Sequence, residues 1–519
     1  MKTSAIKKIS YITILSLGNS ALNFLFQIVI ARTFGTGTVT DAFFLAFSIP
    51  EWVMNITVFI IPVIIIPFIS GYIAKGEEDR ALSLTTSIMS IFVAGLAVII
   101  AGLYILNGPI AQGVAGNLGT EGIEVYRNVS LYFYPVILFT TMSSLLTGVY
   151  YSYERYFVPN ISPILQTLIM IGGVLIWKNG LGIKSAAIFM LIGSFFRYLL
   201  LVVLFHKRKL FLTVKIVKPE VRGDVREVVI FMVPLLIGQV VLQSQVLVDR
   251  YIASILSAGS ITYLFYAFRL TTIFKRLASL GTNTVIFPKL SKSAAINDTA
   301  EFERKINDGM CFITFVSLMV VGGMLLFSTN VVYVLFENDQ FRFFDAVQTG
   351  LALRAMSIYI VAFSLVEIIN NAFYSIKNTK IPLILGISTF ALSIAVKILL
   401  SRLWAHVGIA IASSFTAALY MTVGIVLLKI TRRNVRFGRF FKNALQNCIS
   451  IAAAFGVVFI IIRLFLPKDF IFFSNKFAEF GAVAGLWLLM ALFYMGFNFL
   501  FRNDIAVNLI GRLKDNAPV

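Results

Sequence analysis

Arg269 stands in an apolar run, with Tyr263 to Phe268 directly before it and Leu270 after it. An arginine at the centre of a membrane helix costs about 2.5–3.5 kcal/mol on insertion scales, so such a residue usually faces a partner or a water-filled cavity. A planar guanidinium there could hold a phosphate through two parallel hydrogen bonds. Arg250, Lys275, Arg276 and Lys397 also lie in apolar stretches of the second half. The acids Asp41, Glu51, Asp249 and Glu367 are fewer. This balance points to an anionic substrate, most naturally a phosphate or diphosphate, with Arg269 and either Arg250 or Arg276 as its ligands. A blander account remains open for three residues. Lys275 and Arg276 could snorkel to an interface, and Asp249 could pair with a neighbouring cation.

Polar side chains recur at helical spacing around these charges. At 100° per residue, Ser16, Asn19, Ser20, Asn23 and Gln27 fall on one face, as do Asp41, Ser48, Glu51 and Asn55. Gln239, Gln243 and Arg250 share a face, and so do Thr262, Arg269, Thr272, Arg276 and Asn283. Matched stripes on the first two helices of each half predict a hydrophilic cavity. Interhelical hydrogen bonding is the alternative, since Asn, Gln and Ser often join membrane helices. Glu367 shares a face with Asn370 and Tyr374, and a buried carboxylate of this kind could carry protons or bind Na⁺. Glu367 and Lys397 are therefore the candidates for ion coupling.

Such residues need spanning helices to position them, and the composition supplies these. The 519 residues are 59% hydrophobic and only 13% charged, with a mean hydropathy of +0.90. Soluble domains are about 45–50% apolar and about 25% charged. A spanning helix needs about 20 apolar residues. Fourteen stretches qualify, at roughly 10–33, 41–72, 82–107, 126–152, 157–177, 185–206, 226–256, 260–290, 306–328, 346–376, 381–401, 405–430, 441–465 and 477–501. Pro50, Pro62 and Pro67 predict kinks in the second. The net charge of +20 gathers in short loops, with seven Lys and Arg at 207–226 and six at 429–442. That placement predicts cytoplasmic termini and argues against a nucleic-acid partner. The first span reads as retained and uncleaved. Cys311 and Cys448 read as small buried hydrophobes.

The chain repeats itself. Ile30-Ala31, Gly37, Val39-Thr40 and Phe43-Phe44 recur as Ile252-Ala253, Gly259, Ile261-Thr262 and Phe265-Tyr266, at an offset of 222. Pro67 with Ser70 recurs as Pro288 with Ser291, and Tyr151-Ser152 with Pro159 as Tyr374-Ser375 with Pro382. Six crossings separate the copies, so the halves are parallel repeats. The expected fold is an all-α polytopic membrane protein with 14 transmembrane helices. It comprises a six-helix lobe at 1–206, a basic cytoplasmic linker at 207–225, a second lobe at 226–430, and a basic loop with two last helices at 431–519.

The sequence lacks a G-x-x-x-x-G-K-[ST] phosphate loop, an H-E-x-x-H zinc motif and a G-x-S-x-G elbow, and no cluster has metal-ligand spacing. No cofactor or metal is expected. Uphill transport would draw on Na⁺, H⁺, membrane potential or a substrate gradient. Three classes compete: a carrier of a phosphate or diphosphate substrate, an ion-coupled multidrug or small-metabolite exporter, and a membrane polymerase or ligase. The cationic second half favours the first, and the short outer loops disfavour the last.

Ala31-Arg32-Thr33-Phe34-Gly35 through Thr40-Asp41-Ala42-Phe43-Phe44-Leu45-Ala46-Phe47-Ser48-Ile49-Pro50 resembles the MurJ/MviN lipid II flippase family. Tyr266-Ala267-Phe268-Arg269-Leu270 is similar to that family's Tyr-Ala-Asp-Arg-Leu, and Phe287-Pro288-Lys289-Leu290-Ser291 to its Leu-Pro-x-Leu-Ser. The resemblance implies the multidrug/oligosaccharidyl-lipid/polysaccharide exporter fold, alternating access, and a final helix pair that forms a groove for a polyprenyl tail. It implies a multi-pass protein of the bacterial cytoplasmic membrane in peptidoglycan or surface-polysaccharide biogenesis, not an enzyme. Its partners would be a polyprenyl-diphosphate-linked glycan and membrane lipids, and it would act as a monomer. Where the family carries arginines on its first two helices, this chain aligns Ser20, Phe26 and Met54, while Asp41 and Arg269 match. A capsule, O-antigen or exopolysaccharide unit carried by Wzx-like relatives fits the resemblance as well as lipid II does.

Overall fold

The computed structural model describes residues 2–205, 221–279, 290–294, 296, 298–432, 435–466 and 471–507. It is helical, with no strand among the described residues. The helices are α1 (Lys2–Phe34), α2 (Thr38–Ala74), α3 (Glu78–Ile105), α4 (Asn107–Ala115), α5 (Gly119–Ser152), α6 (Phe157–Leu181), α7 (Lys184–Leu204), α8 (Arg222–Ser254) and α9 (Ser260–Ser279). They continue with α10 (Thr299–Phe336), α11 (Phe343–Ala355), α12 (Ser357–Ser375), α13 (Lys380–Thr431), α14 (Gly438–Phe465) and α15 (Lys476–Leu500). Twelve stretches among the described residues are long and apolar enough to cross a membrane. The difference from fourteen has two sources. Residues expected as spans at 381–401 and 405–430 run together in α13, and the 260–290 stretch is described only to Ser279 before resuming at Leu290. Within α13, Trp404 and Ala405 leave helical geometry, Ala405 with φ +47°, and the break falls between the two expected spans. Gly408 permits it, because a Cβ there would lie 2.0 Å from the Leu400 carbonyl oxygen. Between the third and fourth expected spans, Asn107–Ala115 form α4 and α5 already begins at Gly119.

The chain divides into two compact units. The first holds residues 1–262 with 339–341, and the second holds 263–338 with 342–519. Helix α8 thus belongs to the first unit, a different cut from the one suggested by the basic linker. The 207–220 part of that linker, Asn283 and most of the Phe287–Ser291 motif lie outside the described residues.

In the first unit α2 runs unbroken through all three prolines and packs along α5. A helical proline leaves the carbonyl four residues back without its usual partner. For Pro62 that carbonyl is Val58, and Ser144 of α5 donates to it at 3.4 Å. Thr141 donates to Thr57 at 3.1 Å, and Gly148 lets α5 approach Pro62 and Ile65 closely. Ile61, Ile64, Ile65, Leu84, Leu145 and Val149 fill the core between α2, α3 and α5. At the start of α2, Gly35 holds φ +65°, and a Cβ on it would come within 2.1 Å of the Gln340 carbonyl oxygen.

In the second unit Asp298 caps α10 by accepting from Glu301 N–H, and Asn475 caps α15 by accepting from Phe477 N–H. Helix α10 is the post on which α14 and α15 lean. Gly322 and Gly323 open its surface to Ile451, Met490 and Trp487, with the Trp487 ring 2.0 Å from where a Gly323 Cβ would stand. Polar ties run the length of this seam. Tyr494 donates to the Phe315 carbonyl at 3.0 Å. Fully buried Glu479 accepts from Asn330, Phe472 N–H and Phe473 N–H at 2.6, 2.9 and 2.9 Å. At the other end Arg439 reaches Asp308 and Asp504, each at 2.7 Å. Cys311 is buried as expected, but Cys448 is exposed on α14. An exposed thiol on an apolar helix carries little polar cost, so the hydropathy of the run did not reveal which way it faced.

Candidate functional site

The two copies of the repeated segment meet in the first unit. Asp41, in the first turn of α2, is buried and accepts from Gly259 N–H at 2.7 Å, Thr262 N–H at 2.8 Å and the Thr262 hydroxyl at 2.5 Å. Gly259 holds φ +92°, so the loop between α8 and α9 depends on glycine to present that N–H. Asp41 was expected to line a cavity; the structure places it as a three-donor clasp on a loop. The equivalent position in the second copy is Tyr263, whose hydroxyl donates to Asp345 at 2.8 Å in the second unit. Asp345 also accepts from Arg342 N–H at 2.8 Å and so fixes the start of α11. The scaffold is repeated, but the bonding at this position is not.

Arg250 and Glu51, expected as a substrate ligand and a cavity residue, form an ion pair instead. Arg250 also donates to the Phe44 carbonyl at 2.7 Å and is only 8% exposed. Its guanidinium joins α8 to α2. Of the other first-unit candidates, Asn23 and Asn55 are exposed, and Asn19, Gln27, Gln239 and Gln243 are half-buried. Asn23 donates to Asn19 Oδ1 at 3.0 Å and Gln243 to Gln239 Oε1 at 3.4 Å, giving each of α1 and α8 a short amide ladder.

The second unit presents its candidates mainly along α9. Arg269 is half-buried with its guanidinium 4.8 Å from the centre of the Phe265 ring. Thr272 is half-buried, and its hydroxyl donates to its own helix at the Phe268 carbonyl, 2.9 Å away. Arg276 is exposed. Lys275 pairs with Glu367 at 2.9 Å, so the proposed ion-coupling acid has a cationic partner. Lys397 is fully buried in α13 and stands apart from that pair in the sequence. A groove of about 1240 Å³ runs along α15, lined by Leu492, Phe493, Gly496 and Phe497, with Arg439 and Asp504 among its polar residues. Asp504 lies beyond α15, and the Arg439 hydrogen bond holds its carboxyl below the usual carboxylate range.

The charged residues not singled out in the sequence include Arg197, Asp345, Arg354 and Glu479. Arg197, inside the apolar run of α7, donates to Gln166 of α6 at 3.3 Å. Glu479 is the buried acceptor described above. The rule that singled out Arg269, a charge within an apolar stretch, would have found Arg197 as well.

Comparison with known proteins gives this arrangement a family. The lipid II flippase MurJ family model matches residues 30–480. A probable lipid II flippase MurJ of Buchnera aphidicola subsp. Schizaphis graminum is 25% identical over 514 residues, covering 96% of this chain and 98% of that protein. One from Vibrio cholerae is 24% identical over 430 residues, covering 79% and 80%. Among solved structures, a lipid II flippase MurJ in an inward closed conformation has a TM-score of 0.79 at 20% identity, over 95% of this chain and 99% of that one. An inward-facing multidrug resistance MATE transporter of the MOP superfamily has a TM-score of 0.69 at 13% identity, over 82% and 99%, a likeness of fold alone. With more than four-fifths of its length inside the family model, the chain belongs to the MurJ lipid II flippase family.

Proposed function

We propose that this chain carries a polyprenyl-diphosphate-linked saccharide across the bacterial cytoplasmic membrane by alternating access, with lipid II as the first cargo to test. The observation that carries the reading is the run of cations on α9. Arg269 and Lys275 are half-buried and Arg276 is exposed, in a chain built of membrane-length helices. Cations kept in such a run suit an anionic headgroup. The amide ladders of α1 and α8 suit sugar hydroxyls, and the apolar groove along α15 suits a polyprenyl tail. In this reading the lobes at 1–206 and 226–430 perform the exchange and the helices after 431 hold the tail. Both termini are cytoplasmic, because the basic loops share their side. The protein acts as a monomer without a cofactor and performs no covalent chemistry. Glu367 and Lys397 are the residues through which Na⁺, H⁺ or membrane potential would act.

Reconstitution in proteoliposomes with fluorescent lipid II tests the proposal. Arg269→Ala should lower the flipping rate at least tenfold while the protein still expresses and inserts. A wild-type rate from that variant would remove Arg269 from the site. Movement of a capsule-type lipid diphosphate but not of lipid II by the unaltered protein would reassign the cargo.

A further inference from the structure

Two stripes of side chains meet in the second unit. Phe268 and Lys275 are seven residues apart on α9 and share a face, and Tyr359, Phe363 and Glu367 recur every fourth residue on α12. The Phe268 and Tyr359 rings are 6.2 Å apart, and Tyr359 stacks on Phe363 at 5.1 Å. Lys275 Nζ lies 4.2 Å from the centre of the Phe363 ring and 2.9 Å from Glu367 Oε1. With Ala362 and Ala417 these aromatics make a small cluster separate from the two larger cores of the unit. The Lys275 and Glu367 side chains keep 19% and 26% of their exposure, so the pair is not sealed inside the packed unit.

We infer that Glu367 stands in for the phosphate of the cargo: it holds Lys275 while the carrier is empty, and an incoming diphosphate takes its place. The inference rests on the reading of this chain as a polyprenyl-diphosphate carrier. An ammonium on a flexible four-carbon stem can change partners without moving its helix. The Phe363 face attracts that ammonium throughout, so the exchange does not pass through an unsupported charge. A phosphate brings more charge and more acceptor oxygens than one carboxylate, which lets it displace Glu367. Arg269 is six residues before Lys275, roughly 9 Å along the axis but about 120° around it, so the exchange at Lys275 does not require Arg269 to share its face. Arg250 differs, since its carboxylate partner is as deeply buried as it is.

The exchange makes opposite demands on the two partners. Removing the competitor should strengthen anion binding, and removing the cation should weaken it. Native mass spectrometry of the purified full-length protein, titrated with undecaprenyl diphosphate, reads both. Glu367→Gln should bind about tenfold more tightly than the unaltered protein, Lys275→Gln about tenfold more weakly, and the double variant like Lys275→Gln. Undecaprenol, which lacks phosphate, should bind all four equally. If Glu367→Gln does not fold, Glu367→Asp, whose carboxylate is drawn back by one methylene, should still bind more tightly than the unaltered protein. Equal or weaker binding by the folded Glu367 variant would overturn the exchange and leave the carrier reading standing. Failure of the unaltered protein to bind the diphosphate would remove both.

Discussion

A carboxylate buried at the start of a membrane helix needs donors, and Asp41 has three, all from the other copy of the repeat. Asp41→Asn keeps the shape but sets an NH₂ group against N–H and O–H donors. Hydrogen bonds to charged groups contribute about 1.5–3 kcal/mol each, so the variant should lose about 2 kcal/mol or more. Thermal unfolding in detergent measures this, and an unchanged midpoint would show that the clasp is idle. Asp504 offers a pH test. Its folded carboxyl ionises at lower pH than the unfolded one, so its tie to Arg439 is complete above about pH 4 and is lost as pH falls through the lowered value. Arg439→Gln should therefore lower the unfolding midpoint at pH 7, and the difference from the unaltered protein should shrink towards pH 3. A constant difference would mean that the Arg439 effect does not run through Asp504. At this scale the sequence identified charged positions but not their partners. The period of a helix says which face Arg250 or Glu51 occupies, but nothing in it pairs residues 199 apart. Lys275 and Glu367, 92 apart, were hidden for the same reason.

Helices were more legible, because span length and apolar composition are local properties. The break in α13 falls between two apolar runs, whereas α4, nine residues with two glycines and a proline, is too short to stand out as a span. The prolines of α2 do not break the helix, and at Pro62 a neighbour supplies a donor that the backbone lacks. Ser144→Ala would leave the Val58 carbonyl without its side-chain donor and should cost about 0.5–1.5 kcal/mol, seen as a lowered unfolding midpoint. A second test lies in the α10–α15 seam. Gly323→Ala drives a methyl into the Trp487 ring and should destabilise by about 1–3 kcal/mol. Gly485→Ala on α15 has open space around it and should not. Equal effects of the two would mean that the seam yields easily.

For the molecule as a whole, the last two helices are structural parts of the second unit. Tyr494, Val458, Ala454 and Met490 are buried in a core shared with Phe315 and Phe327 of α10. A chain ending after Thr431 should therefore fail to give a monodisperse peak in size-exclusion chromatography. A stable truncated protein would show that α14 and α15 are an optional attachment. Sequence duplication alone suggested the opposite emphasis, since the pair lies outside the repeat.

The turn at Gly35 fits around Gln340, so one residue of the first helical hairpin waits for another about 300 positions later. Residues 339–341 are also the only part of the first unit that follows Thr262. On a ribosome adding about 5–20 residues per second, some 4–16 s separate synthesis of Thr262 from that of Phe341. During that interval the first unit lacks the residues that pack against its Gly35 corner. The nascent chain thus has a defined window in which a membrane chaperone or protease would meet an unfinished edge, and the window closes on the arrival of three residues.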